Sequence, residues 1–219
     1  MVGDLSAKYE SNGNPGTISS GAGDLGGKSY GCYQLALNTG AVHSFQKWLR
    51  EIGHTYGQTL GNLQAGSYDF DHLWKRIATV DGENFKQLQH DYISYAYYEP
   101  AVAMLRESYF SLEKHAEIMQ DVIWSRAVQF GAGNIVELFT EAVAKMGHPN
   151  LSYVDDARFD WDIIANVYNF LIEECDNAYQ LDNGLYHSKK DWVNGSYDVV
   201  KIGLRNRFEN ERDEALENL

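Results

Sequence analysis

Seven glycines fall between residues 13 and 31 of this chain, broken by Pro15 and interleaved with Asn, Ser and Asp. Such a stretch cannot serve as helix interior or as packed core. Each glycine gives up the most backbone freedom on ordering and offers no side chain to bury. The segment must be carried as turns on a scaffold built elsewhere. Turns of this kind suit a ligand cleft, where backbone and short polar side chains come close to a bound molecule. Glu10 stands just before the breaker cluster Asn12-Gly13-Asn14-Pro15-Gly16, and Asp24 lies inside the next glycine cluster. Two carboxylates held in different environments of one cleft are what glycosidic bond cleavage requires.

The rest of the chain reads as that scaffold, and it is mostly helical. Residues 2–10 look like the end of a helix. Thr17 and Ile18 suit a short strand, with Gly21-Ala22-Gly23 as its turn. Apolar spacing predicts helices over 32–52 (broken near Asn38-Thr39-Gly40), 68–80, 82–106, 115–130, 134–146, 160–176 and 198–218. Pro100 marks a boundary or kink, and Gly147-His148-Pro149 a stop. In the terminal helix the apolar positions are Val199, Ile202, Leu204 and Phe208. Residues 53–66 read as glycine-punctuated loop and 181–197 as a polar aromatic loop. With no repeat and no low-complexity linker, one mainly α domain over 1–219 with a small loop or β-hairpin lobe forming a substrate cleft is expected.

Composition narrows the partners. Among 219 residues, 44% are apolar and 22% charged, as in an ordinary globular chain. The net charge of −13 argues against nucleic acid and against an anionic membrane surface. It suits a tethered enzyme, or one acting on a cationic glycan. No apolar run approaches the ~18 residues of a membrane span. Met1-Val2-Gly3-Asp4 carries neither a basic region nor an apolar core, so no export signal is expected.

Several residue groups have plainer readings. Cys32 and Cys175 are too few for a disulfide framework and are read as buried structural thiols, with a bridge between them as the alternative. Tyr92 and Tyr95 sit at helical spacing, which favours core packing over a binding platform. Asp69, Asp71 and His72 lack a further ligand at suitable spacing, so neither metal nor cofactor is expected. Asp155, Asp156 and the acidic terminal helix read as solvated surface.

Three ordered segments resemble a known family. They are E-S-N-G-N-P, G-D-L-G-G-K-S-Y-G-C-Y-Q-L and A-V-Q-F-G-A-G-N-I-V. Together they look like the three motifs of the lysozyme-like superfamily: E-S, then G-x-x-G-L-M-Q, then A-Y-N-A-G-x-G-x-V of goose-type lysozymes and soluble lytic transglycosylases. Gly23-Asp24 is also similar to the second-acid motif of bacterial chitosanases. The terminal helix resembles, more weakly, one of phage-type lysozymes. Gln129-Phe130 and Cys32-Tyr33 depart from the family pattern. The matches cover roughly a fifth of the chain.

The resemblance implies an α+β lysozyme-like fold, Glu10 as general acid, and Asp24 as water-activating base or charge stabiliser. A carboxyl separation of about 6.5–9.5 Å would imply inversion and about 5–5.5 Å retention. An exposed helix-end glutamate and an Asx turn are the plain alternatives for Glu10 and Asp24. Ser19, Ser20, Ser29, Tyr30 and Gln34 are candidate sugar contacts, with turn chemistry and packing as the alternative. Gln129 and Asn134 would line an opposite wall, or Asn134 would cap the next helix.

The expected function is a muramidase cutting the peptidoglycan strand between N-acetylmuramic acid and N-acetylglucosamine. Alternatives are a lytic transglycosylase, a chitosanase-like hydrolase, and a non-catalytic glycan-binding virion component. The implied setting is an endolysin or a phage tail protein, tethered to other domains. It would act from the virion or the host cytoplasm on the cell wall.

Overall fold

The computed structural model describes residues 13–20 and 27–219. Glu10, Asp24, the helix expected over 2–10 and the Gly21-Ala22-Gly23 turn lie outside the described residues. The chain packs as two compact units, the first ending at Ala96 and the second spanning Tyr97–Leu219. It is mainly helical, with two small antiparallel hairpins among the described residues.

In the first unit, β1 (Ser29–Tyr30) pairs with β2 (Leu35–Ala36), placing Tyr30 opposite Leu35. Ile18 adds a bridge to Tyr30 on the other edge, as its strand reading anticipated. The helix expected from residue 32 does not start there. Gly31 (φ 77°) and Gln34 (φ 50°) reverse the chain, and α1 (Ala41–Glu51) begins only after Gly40 at φ 81°. Tyr33 and Leu37 mimic a helical stripe by their four-residue spacing, but they belong to a hairpin and its exit. A short α2 (Thr55–Thr59) lies within the segment read as loop.

Two longer helices complete this unit. α3 (Tyr68–Val80) starts where Ser67 Oγ accepts the Phe70 N–H at 3.2 Å, with Asp69 and Asp71 in its first turn. α4 (Gly82–Ile93) gives way to a π-helical turn at Ser94–Tyr98. The break therefore precedes Pro100, which sits in the first turn of α5, where its missing N–H costs nothing. The core is aromatic. Phe45 packs against Trp48, Trp74, Phe85 and Tyr92 at ring separations of 5.3–6.3 Å. Tyr92 is core as expected, whereas Tyr95 is 54% exposed. Its step along the helix carries it past the buried stripe.

In the second unit α5 (Glu99–Glu107), α6 (Ile118–Phe130), α7 (Ile135–Lys145) and α8 (Asp160–Asp176) surround an aliphatic core. A hairpin of β3 (Tyr179–Gln180) and β4 (Tyr186–His187) follows, and α9 (Asp198–Glu217) ends the chain. α9 is bound through its later turns: Phe208, Glu211 and Ala215 are buried, while Val199 is 81% exposed and Ile202 is also exposed. Of the apolar stripe expected from residue 199, the later part, Leu204 and Phe208, packs against the core, and the earlier part does not.

Glu211 is the reason. Its carboxylate accepts from Ser125 Oγ (2.8 Å), Arg126, Tyr168 Oη (3.2 Å) and Arg207 Nε (2.5 Å). Arg126 is wholly buried, with its guanidinium over the rings of Tyr168 and Phe208. Burial pushes the Glu211 carboxyl up, but Arg126 and Arg207 outweigh it, so it lies below the usual carboxylate range. The acidic terminal helix is therefore not all solvated surface.

Nor is Asp155. It accepts from the Ser111 N–H (2.6 Å) and from Lys114 Nζ (2.5 Å). Its neighbour Asp160 holds the buried His115 ring at 2.5 Å, and Phe110 stacks on that ring. Both cysteines are buried thiols outside any disulfide, as read.

Candidate functional site

The glycine-rich turn is held by a closed set of hydrogen bonds in the first unit. Ser29 Oγ donates to Gln34 Oε1, and Gln34 Nε2 donates to the Gly31 carbonyl at 3.1 Å. A hydroxyl has one hydrogen, so Ser19 Oγ must be the donor in its 2.8 Å contact with Ser29 Oγ. Ser19 Oγ in turn accepts the Ser29 N–H at 2.9 Å. Ser19, Ser29 and Gln34, singled out separately in the sequence, are thus brought together. Most of their donors serve one another; among the described residues, one Gln34 amide hydrogen and several lone pairs have no partner. Ser20 is exposed at the rim.

Tyr30 is placed differently. Its ring is wholly buried between Phe70 and Trp74, so it offers no face for a sugar to stack on. Its hydroxyl donates to Asp71 Oδ1 at 2.6 Å, and Lys28 Nζ meets Asp71 Oδ2 at 2.6 Å. Burial, reinforced by Asp71, pushes the Tyr30 phenol far above the usual tyrosine range. Asp71 therefore serves as an anchor between a lysine and a phenol. Among the described residues no group of three or more His, Cys, Asp and Glu side chains is arranged to hold a metal ion. No helix among them is long and apolar enough to cross a membrane.

The anchor that sequence reasoning missed is Gln89. It is fully buried on α4, its Oε1 accepts the Cys32 N–H at 2.8 Å, and its Nε2 donates to the Pro15 carbonyl at 3.1 Å. Trp74 Nε1 donates to the same carbonyl at 2.8 Å. A Cβ on Gly31 would lie 2.1 Å from Gln89 Oε1, so that glycine is demanded twice, by its φ and by this approach. The signal was present: Phe85, Leu88 and Tyr92 form a buried stripe, and Gln89 is the polar residue on the same face.

Gln129 and Asn134 belong to the second unit. Gln129 Oε1 is buried without a hydrogen-bond partner among the described residues. Asn134 occupies the N-cap position of α7, but its Nδ2 donates back to the Phe130 carbonyl at 2.7 Å. It borders a cavity of about 340 Å³ that includes Phe130 and Trp192.

Comparison with known proteins places this arrangement. A family model described as "Type VI secretion system spike protein VgrG3-like, C-terminal" matches residues 2–212. The chain belongs to that family. It is 37% identical over 131 residues to the type VI secretion system spike protein VgrG3 of Vibrio cholerae serotype O1 (strain ATCC 39315 / El Tor Inaba N16961). That alignment covers 59% of this chain and 12% of the relative, so the chain spans a small part of the protein it matches.

Membership in the VgrG3-like C-terminal family overturns the lysozyme-like assignment made on three short motifs. With it go the muramidase function, its transglycosylase, chitosanase-like and virion-component alternatives, and the endolysin and bacteriophage setting. The structure gives a physical reason why such motifs mislead. Gly31 and Gly131, at the heart of the second and third, both have φ near +80° (77° and 83°). Glycine at a chain reversal answers a backbone requirement that recurs across unrelated folds.

Proposed function

We propose that this chain is a module of a type VI secretion spike, carried to the envelope of a target cell attached to the rest of the spike protein. There it binds the glycan of peptidoglycan through the polar turn around Ser19, Ser29 and Gln34. The observation that carries this reading is the family match over residues 2–212. The small share of the relative that the chain covers supports tethering to other domains. In enzymatic class the proposal is a glycoside hydrolase, with Glu10 as proton donor and Asp24 as its candidate partner; the bond is left open. The hydrogen-bonded turn would supply a rigid rim that costs little to order on binding.

Three measurements test it. The first is growth of an indicator strain that makes the chain with or without an added export signal. Arrest is expected only with export, and equal growth in both would sink the delivery reading. The second is co-sedimentation with insoluble peptidoglycan. The bound fraction should fall about tenfold in Ser20→Trp, which crowds the exposed rim. No sedimentation of the native chain would end the glycan reading. Reducing ends released from a polysaccharide panel, and lost in Glu10→Gln, would establish the enzymatic class.

A further inference from the structure

The second unit carries a cavity of about 590 Å³ outside the residues considered so far. One wall is α7, through Glu141 and Lys145, one turn apart. The facing wall is α8 with the residue that caps its end, through Phe170, Glu173, Glu174 and the capping Asn177. The loop after β4 closes it with Lys189 and Lys190.

Three acids and three lysines thus line one space, and their pairing is incomplete. Lys145 pairs with Glu173 beside the Phe170 ring, and Lys190 pairs with Glu141. Glu174 and Lys189 have no ion-pair partner among the described residues. Glu174 is only 7% exposed, and its carboxylate accepts one hydrogen bond, from the Lys190 backbone N–H at 2.9 Å. A carboxylate so buried without a cation is costly. An arriving ammonium would remove that cost. Lys189, exposed at the rim, offers the opposite charge to the same ligand.

We infer that this cavity binds a short peptide presenting a free ammonium and a free carboxylate. The ammonium meets Glu174, the carboxylate meets Lys189, and a small alkyl side chain lies toward Phe170. A simple amine would satisfy only half of this arrangement, and an anion would meet Glu174. The inference stands independently of the glycan reading, which concerns the first unit.

Calorimetric titration of the intact chain with D-alanyl-D-alanine and with L-alanyl-L-alanine tests it. Saturable binding of at least one is expected in the millimolar range, and its N-acetylated and C-amidated forms should each bind about tenfold more weakly. Lys189→Ala, at an exposed position, should weaken the free dipeptide to the level of its amide and leave the amide unchanged. Glu174→Gln should abolish the advantage of a free amino terminus. Equal binding of free and blocked dipeptides, equal binding of butylamine, or no saturable binding of either dipeptide overturns the inference. Sedimentation with peptidoglycan by Ser20→Trp is a separate readout, so the two readings fail separately.

Discussion

Gln46 and Gln89 do in the first unit what Arg126 and Glu211 do in the second: each set satisfies polar groups inside the fold. In the first, neutral amides hold irregular backbone. Gln46 Nε2 donates to the carbonyls of Leu60 (2.7 Å) and Leu63 (3.0 Å), and Gln89 ties Cys32 to Pro15. In the second, charge holds a helix: Glu211 on α9 gathers Ser125, Arg126, Tyr168 and Arg207. An amide offers both donor and acceptor at modest desolvation cost, so it suits a loop exposing both N–H and C=O. A buried ion cluster costs more to assemble and fixes one register more strictly. The hold that Gln89 has on the glycine-rich turn is thereby independent of pH, whereas the seat of α9 depends on it.

The largest effect should come from breaking the charge cluster. Glu211→Ala leaves Arg126 buried and unpaired and should destabilise the second unit by about 3–5 kcal/mol. Hydrogen exchange should rise in peptides from α8 and α9. Replacing the pair together, as Arg126→Met with Glu211→Leu, should recover most of that loss. Equal damage from the single and double changes would show that the cluster is not an electrostatic unit.

Gly31→Ala comes next. It forces a side chain into the left-handed region and against Gln89, for a combined cost of about 2–4 kcal/mol. Gln89→Leu removes the acceptor of the Cys32 N–H, at about 1–3 kcal/mol, and leaves the Pro15 carbonyl to Trp74 Nε1 alone. The two changes damage one contact, so urea midpoints should show them to be less than additive in combination. Strict additivity would mean that Gly31 is needed for its backbone angle alone.

Acid should loosen the seat of α9. A carboxyl whose folded pKa is depressed adds stability above its unfolded value of about 4.3, and that stability is lost as pH falls through the lower folded value. Glu211 is such a group. Exchange in α9 should therefore accelerate below about pH 4, and Glu211→Gln should flatten that dependence while lowering stability at neutral pH. A native-like acid response in the variant would assign it to other carboxyls.

Alkali gives the smallest effect, in the first unit. Burial and the 2.5 Å hydrogen bond to Asp81 push the Tyr56 phenol up to about 12. Its contribution is present below the ordinary tyrosine value of about 10 and is lost as pH rises through the folded value. Absorbance of phenolate should show the late-titrating fraction, to which the buried Tyr30 and Tyr168 also belong, fall by one tyrosine in Tyr56→Phe.

Much of the scaffold was legible because helices declare themselves locally. The expected 68–80 and 160–176 coincide with α3 and α8, since apolar spacing and the Ser67 cap act within a few residues of one another. The segment after Gly31 was misread for the same reason. Tyr33 and Leu37 have helical spacing, and only pairing with Ser29 and Tyr30 decides that the chain folds back. At the candidate site, glycine and serine marked a turn, but Gln89 lies 57 residues from the Cys32 it holds. The three-motif reading failed because local turn chemistry is shared by unrelated folds.

By itself the sequence determined a mainly helical chain with a polar glycine-rich turn that could not be core. Hydrophobic period, caps and glycine's backbone freedom are properties of neighbouring residues, and they need no distant partner. Only the tertiary structure decided which polar residues go inside. Gln89, Arg126, Glu174 and Glu211 look in the sequence like any solvated side chain. Whether burying them is tolerable depends on a donor, an acceptor or an opposite charge brought from elsewhere in the chain.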